Sequence, residues 1–397
     1  MTVTNNEISD EQGSNRLFTR DFILLCLARL AFFCSMAFML AVFPLYVLKI
    51  GGDKSDIGIV IGAFTIPIVI LSPFAGRAAD EMGRKWLMIA GTIIFVVSAI
   101  LYNFAVSLIL LIILRIFHGS GLGLFNTASS AYVADIAPIE RRGEAMGYFG
   151  MVTNLAMAIA PALGVVIVEK YDFTVLFLIS AATAFAAVAL TSLLTDNYRP
   201  VARITGQPRA PLFHKASFFP SVIMASLSVT WGAVVSFFIL FAMDRHIPNP
   251  GYFFTAYAIV LIASRTIAGI LSDKLGREAV IIPGLVMTGI GIWVLCLADS
   301  MTMLMVVALI YGIGFGSATP TLMAFTIDRI GNEGRGAAMG TLGASFDVGV
   351  AVGSVILGFV LQYTDFVVTF LIAGTAPILA MIGFVIVGKR KGNENLS

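Results

Sequence analysis

The chain has 397 residues, 58% of them hydrophobic and only 12% charged, with a mean hydropathy of +0.95. Soluble domains carry about 25% charge and about 45–50% apolar residues, so a compact body in water could not hide this much apolar surface. A soluble enzyme, a nucleic-acid binder and a disordered chain are excluded, and the net charge of +2 names no partner until the charges are placed.

In chain order, a polar start, Met1 to Arg20, precedes apolar runs at about 22–50, 54–76, 86–104, 107–130, 145–168 and 173–194. A polar stretch with Pro200, Pro208 and Pro211 has the composition of an exposed linker. Further runs follow at about 217–241, 252–271, 279–298, 302–327, 336–360 and 366–388, and then the basic residues Lys389, Arg390 and Lys391. A spanning helix takes roughly 20 residues, and backbone groups facing lipid must bond within their own segment. The pattern therefore predicts an all-α membrane protein of 12 transmembrane helices. Its expected parts are a tail (1–21), a six-helix bundle (22–194), a linker (195–216), a second six-helix bundle (217–388) and a tail (389–397). The first run is too long for a cleaved signal peptide and no small-residue cleavage site follows it, so it reads as a retained helix.

Most of the 25 Lys and Arg residues fall on one side if the N-terminus is inside. By the positive-inside rule both termini and the linker are expected in the cytoplasm, with the chain a multi-pass protein of the inner (plasma) membrane. The cysteines Cys26, Cys34 and Cys296 all lie in apolar runs. Cys26 and Cys34 are roughly 12 Å apart by helical rise, too far for a bond. No disulfide or metal spacing is present, and no metal or other cofactor is expected.

An internal repeat is the sharpest feature. Gly76, Asp80, Gly83 and Arg84 lie between the second and third runs, and Gly269, Asp273, Gly276 and Arg277 stand at the same spacing 193 positions later. The same offset carries Gly119, Gly121 and Gly123 onto Gly312, Gly314 and Gly316, Asp135 onto Asp328, and Arg142, Gly143, Met146 and Gly147 onto Arg335, Gly336, Met339 and Gly340. A duplicated six-helix unit is the natural reading, and parallel repeats mark transporters that rock two halves about a midplane site.

The segment Gly76-Arg-Ala-Ala-Asp80-Glu-Met-Gly83-Arg84-Lys85 resembles the loop 2–3 signature of the major facilitator superfamily, and its second copy sits where that family repeats it. The resemblance covers nearly the whole chain. It implies two six-helix bundles around a central cavity and alternating-access transport of a small solute, not enzymatic activity. Arg115-Ile-Phe-His118-Gly119 resembles the helix 4 motif of proton-linked members, with His118 where Gln is common. Gly147, Ala156, Ala160, Pro161 and Gly164 resemble the helix 5 signature of drug–proton antiporters, although two of its glycines are Ala here and Val165 replaces another. Asn249 to Phe254, Arg265 with Gly269, and Phe346-Asp347 with Gly349 are similar to segments of bacterial efflux-type facilitators.

Read as chemistry, Gly76 and Gly83 permit a tight turn and close helix approach. Asp80 is placed to meet a helix N-terminus or a basic side chain. Arg84 can reach Asp135, and Arg277 can reach Asp328, as contacts that form in one conformation and break in another. The plainer reading is a solvated basic loop. Asp347 is the only acidic residue near the middle of an apolar run. A charge there costs at least about 2.5 kcal/mol, so it is a proton or substrate group or the partner of Arg29 or Arg265. Its repeat equivalent, Asn154, cannot ionise. Arg115 stays charged and can stabilise a carboxylate, bind an anionic substrate group or cap a carbonyl. Arg29 is a second substrate contact or a snorkelling cation. Arg265, near the cytoplasmic end of helix 8, is expected to join the two halves. His118 titrates near neutrality and is a proton carrier or a satisfied hydrogen-bond partner.

These readings converge on a secondary active transporter. The task expected is efflux of a small amphipathic or zwitterionic compound in exchange for protons, by a monomer in a lipid bilayer. Two alternatives stay open. One is a proton-coupled uptake symporter for a sugar, organic acid or peptide. The other is a non-transporting membrane receptor or scaffold. No nucleotide-binding loop is present, because apolar helices flank the glycines and no Lys-Ser/Thr follows them.

Overall fold

The computed structural model describes residues 17–196, 217–330 and 335–394, apart from the side chains of Pro73, Asp80, residues 335–337 and residues 387–394. Most of the expected tails and linker lie outside the described residues, as do the side chains of Asp80 and Arg335. Twelve long helices follow one another. They are α1 (Arg20–Leu40), α2 (Lys54–Met82), α3 (Arg84–Leu101), α4 (Leu108–Ile136), α5 (Arg142–Lys170), α6 (Phe173–Ser192), α7 (Phe218–Asp244), α8 (Tyr252–Leu275), α9 (Glu278–Leu295), α10 (Met301–Ile330), α11 (Arg335–Tyr363) and α12 (Phe366–Glu394). Each contains a window long and apolar enough to cross a membrane, and no strand occurs among the described residues.

Helix ends follow local chemistry. The first apolar run is not one helix, because α1 stops at Leu40 and a short helix, Phe43–Lys49, completes the crossing. Pro44 has no N–H to donate to the Leu40 carbonyl, and its ring would collide with that carbonyl. Side chains cap several starts. Asp53 accepts from Ser55 and Asp56 in a capping box before α2, Asp172 from Val175 at 2.8 Å before α6, and Asp365 from Val368 at 2.8 Å before α12. The hydrogen bonds from the Ser55 side chain and then the Asp56 backbone hold the Asp53 carboxyl below its ordinary range. Gly83 and Gly276, one repeat apart, both have φ of +91°. Only glycine adopts that conformation cheaply, and it turns α2 into α3 within one residue and α8 into α9 within two.

Packing repeats with the sequence. In the first half α1 packs on α5 and α6, α2 on α4, and α3 on α4 and α6. In the second half α7 packs on α11 and α12, α8 on α10, and α9 on α10 and α12. The contacts coincide residue by residue. A methyl added to Gly119 would meet the Phe64 carbonyl oxygen at 1.9 Å, and one added to Gly312 would lie 3.3 Å from the carbonyl oxygen of Tyr257, the repeat equivalent of Phe64. Gly123 faces Ile68, and Gly316 faces Leu261 at the equivalent place. Between helices in lipid, small residues at such crossings let backbones touch. Gly76 and Gly269 were expected to serve the same end and do not. The nearest atom to a methyl at Gly76 is an ordinary 3.9 Å away, and nothing lies within 4 Å at Gly269. Both sit inside continuous helices, where neither a turn nor a close crossing requires glycine.

The two bundles meet along α2 against α11 and α5 against α8, two pairs that the repeat exchanges. Methyls at Gly58 and Gly62 would strike Ser354 and Val355 of α11, and the methyl of Gly358 would lie 3.3 Å from the Gly58 Cα. On the other seam Gly251 abuts Ala162, and Thr255 donates to the Ala158 carbonyl at 2.7 Å. All these contacts lie toward the end of the bundle opposite the Gly83 and Gly276 turns. Toward those turns, methyls at Gly143, Gly147 and Gly150 of α5 and at Gly340 and Gly343 of α11 would meet nothing within 4 Å. The seams are closed at one end, and toward the other their glycines face open space.

Gly119→Ala should lower thermal stability in detergent, because overpacking a close crossing costs about 1–3 kcal/mol. Gly340→Ala, which faces open space, should be neutral or stabilising by about 0.5–1 kcal/mol. Melting curves showing equal losses for both would contradict the crossing geometry.

Candidate functional site

The seam helices have stripes that define where the halves part. On α11, residues spaced by three or four share a face. Ala351, Ser354 and Gly358 of that face touch α2, while Gly340 and Gly343 touch nothing. Asp347 lies between, one turn inside the last contact. It is roughly 18 Å from one end of α11 and roughly 24 Å from the other by helical rise. On α8 the stripe runs from Gly251 through Thr255 to Arg265, and on α5 from Ala162 through Ala158 to Asn154. Arg265 Nη1 donates to Asn154 Oδ1 at 3.4 Å across the seam. Asn154, Arg265 and Asp347 therefore stand at the depth where contact between the halves gives way to open space.

Arg265 was expected near one end of its helix. It lies near the middle instead, roughly 20 Å from Tyr252 and roughly 15 Å from Leu275. The reason is that α8 continues past the apolar run to Leu275. Asp347 makes no ion pair or hydrogen bond among the described residues, so it is not the partner of Arg29 or of Arg265 in this conformation.

The other two intramembrane arginines are enclosed by the first bundle. Arg29 does not snorkel. Its Nε donates to Thr153 at 2.6 Å, Nη1 to Ser129 at 3.3 Å and Nη2 to Asn126 at 3.3 Å. Its guanidinium carbon lies 3.9 Å from the Phe149 ring centre and 4.7 Å from that of Phe33. It thereby joins α1 to α4 and α5 with neutral acceptors and two aromatic faces. Arg115 donates from Nε to the Val60 carbonyl at 3.2 Å and lies between Phe43 and Phe64, 4.5 and 4.1 Å from their centres. Val60 sits between Gly58 and Gly62, so Arg115 braces α2 where it crosses α11. His118 is fully buried. Its Nδ1 is 2.9 Å from the Tyr102 hydroxyl, and the rings of Phe64 and Phe95 enclose it, while Nε2 has no partner among the described residues. The structure thus separates Arg115 and His118 from Asp347, which belongs to the other bundle.

The helix 5 motif divides between two tasks. Ala156 and Ala160 are fully buried, and a methyl at Gly164 would meet the Phe38 carbonyl oxygen at 2.0 Å, so this stripe seats α5 on α1. Pro161 is inside the helix, and Gly147 faces open space. At the turns, Arg84 pairs with Asp135 and donates to the Ala131 carbonyl at 3.1 Å. Arg277 Nε meets Asp328 at 2.8 Å, and its Nη1 meets Asp273 and donates to Ser272 at 2.9 Å. Asp328 and then Asp273 hold the Arg277 guanidinium above its ordinary pKa. All of these pairs lie within a single half.

One part of the site is not picked out by motif reading. Trp231 of α7 stacks on Tyr257 of α8 at 5.2 Å and lies 6.3 Å from Phe315 of α10, which in turn meets Phe346 of α11 at 6.3 Å. These rings form a chain across the second bundle, ending at Phe346, the residue before Asp347 in α11. The repeat offset holds the signal that could have found them, since Trp231 and Tyr257 stand where the first half has Phe38 and Phe64. Among the described residues no group of His, Cys, Asp or Glu gathers that could hold a metal ion.

A family model described as the Major Facilitator Superfamily matches residues 25–253 and 248–396. The chain is 26% identical over 393 residues to multidrug resistance protein 2 of Bacillus subtilis, covering 94% of this chain and 96% of that protein. It is 23% identical to an uncharacterized MFS-type transporter of Methanocaldococcus jannaschii, covering 82% of this chain and 86% of that one. It is also 23% identical to the quinolone resistance protein NorA of Staphylococcus aureus, over 54% of this chain and 56% of NorA. Among solved structures, a peptide transporter, POT, aligns with a TM-score of 0.80 at 15% identity, covering 99% of both chains. The nucleoside transporter NupG aligns with a TM-score of 0.76 at 16% identity, covering 92% of this chain and 99% of its own. The two bundles, the repeated turns and the extent of the match together place this multi-pass membrane protein in the major facilitator superfamily, as a transporter of small molecules.

Proposed function

We propose that the chain is a proton-coupled exporter of a small amphipathic or zwitterionic compound, working as a monomer in the inner (plasma) membrane with both termini in the cytoplasm. Asp347 carries this reading. It is a carboxyl group at mid-helix with no ion pair among the described residues, on the stripe between the glycines that touch α2 and those that face open space. Such a group is costly in a membrane unless it has work to do. A proton arriving from outside would neutralise it and favour the conformer that has released substrate; losing the proton to the cytoplasm would restore the charge and the binding state. Similarity to multidrug resistance protein 2 and to the quinolone resistance protein supports export over uptake. The Lys and Arg asymmetry supports the orientation, which makes the separated end cytoplasmic.

The repeated ion pairs fit a gating role. Arg84–Asp135 and Arg277–Asp328 brace the turns at the end where the halves are apart, and they would be rebuilt as that end closes. Arg115, His118 and the helix 5 stripe serve to hold the first bundle rigid as it moves.

In proteoliposomes with an imposed pH gradient and rhodamine B, an aromatic dye that is a zwitterion, as the transported compound, Asp347→Asn should reduce gradient-driven movement at least about tenfold without lowering the melting temperature. Unchanged exchange would remove Asp347 as the coupling acid. Dye accumulating against the direction of proton flow supports export; accumulation with it supports the uptake alternative. Asp328→Asn should behave differently. Asp328 is half-exposed, and pairs of that kind stabilise by about 0–1 kcal/mol. Its loss should barely move the melting temperature while slowing exchange several-fold. A large fall in stability with intact exchange would make the pair structural.

A further inference from the structure

Three arginines lie within the membrane-spanning helices away from their ends, and the protein completes two of them. Arg29 has three side-chain acceptors and two aromatic faces, and Arg115 has a carbonyl and two aromatic faces. Arg265 is different. Its single hydrogen bond among the described residues is the 3.4 Å contact to neutral Asn154, and its Nε is buried with no partner. No ring lies over it among the described residues, and Asp347, the carboxylate at the same depth, makes no ion pair with it. A guanidinium that is always charged and carries five donors in a planar fork is left in a low-dielectric seam with most of the fork unused.

Two turns earlier on α8 stands Tyr257, whose ring stacks on Trp231 of α7. The Trp231 indole N–H and the Tyr257 hydroxyl have no acceptor among the described residues, and the two rings stack at 5.2 Å beside Phe315. The wall therefore combines a planar fork, two further O–H or N–H donors and a flat aromatic surface. What it lacks is an acceptor. A carboxylate matches the fork in a bidentate manner, and an aromatic body attached to it matches the rings.

We propose that Arg265 is the anion subsite of the cavity, taking the carboxylate of an aromatic or amphipathic weak acid or zwitterion, with Trp231 and Tyr257 beside its ring. This rests on the reading of the seam as the transport site and names the substrate class that site takes. Binding there would also replace the weak contact to Asn154. Arg265 would thus change partners from the other bundle to the substrate, and occupancy of the cavity would loosen the seam.

The test uses the full chain in an uncharged detergent, with naphthalene carboxylate and its primary amide as probes of matched shape. Binding is read by quenching of intrinsic tryptophan fluorescence and by thermal shift. The carboxylate should bind at least tenfold more tightly than the amide. Arg265→Gln should remove that preference while leaving amide binding in place; Arg265→Lys should restore it in part. Comparable binding of both probes to the wild-type protein overturns the anion subsite and leaves the cavity standing, and this comparison needs no variant to fold. Binding of neither probe overturns the subsite as well as the seam as a binding site. A preference that survives in Arg265→Gln overturns the assignment to Arg265.

Discussion

Helices inside a bilayer gain nothing from excluding water against one another, so they must be held by contact. In this chain the contact is made where glycine lets one backbone lie on the next. Gly119 on Phe64, Gly314 on Thr288, Gly164 on Phe38 and Gly58 on Ser354 leave no room for a side chain. Three of these are within a bundle and one is between bundles. The first kind packs each six-helix unit closely within itself. The last lets α2 and α11 close tightly at one end without chemical bonds that would have to be broken to reopen them. Where the glycines of α5 and α11 face nothing, the same two seams are free to close in the other direction.

The charges are distributed according to this mechanics. Arg29 and Arg115 are enclosed in the first bundle, with their donors spent on neutral oxygen and their faces on aromatic rings. They behave as internal braces. Arg265 and Asp347 sit on the seam of the second bundle with little or nothing attached. A polar group in hydrocarbon that the protein does not satisfy is a group left for something that comes and goes. The two halves share one repeat, yet at equivalent positions their chemistry differs. Asn154 stands against Asp347 and Phe38 against Trp231 at equivalent positions.

The fold was legible in the chain because its causes are local. Twelve apolar runs of spanning length can only be helices in lipid, and one offset of 193 positions makes them two copies of one unit. The turns at Gly83 and Gly276, and the pairing of Arg84 with Asp135 and of Arg277 with Asp328, follow from residues near one another along adjoining helices. Even the break in the first span is written locally, in the proline at position 44.

The site was legible only in part. Sequence singled out Asp347, because one acid in an apolar run is conspicuous wherever the run is placed. It could not tell the three arginines apart, since each is a cation among apolar neighbours and the difference lies in what other helices bring to it. Thr153, Ser129 and Asn126 reach Arg29 from α4 and α5, and the Val60 carbonyl reaches Arg115 from α2. For Arg265 only Asn154 arrives among the described residues, from the opposite bundle. Period, length and repeat determine helices and their pairing, because those depend on the residue and its own segment. Whether a buried charge is a brace or a binding group depends on the partners supplied by distant segments, and only the tertiary structure decides that.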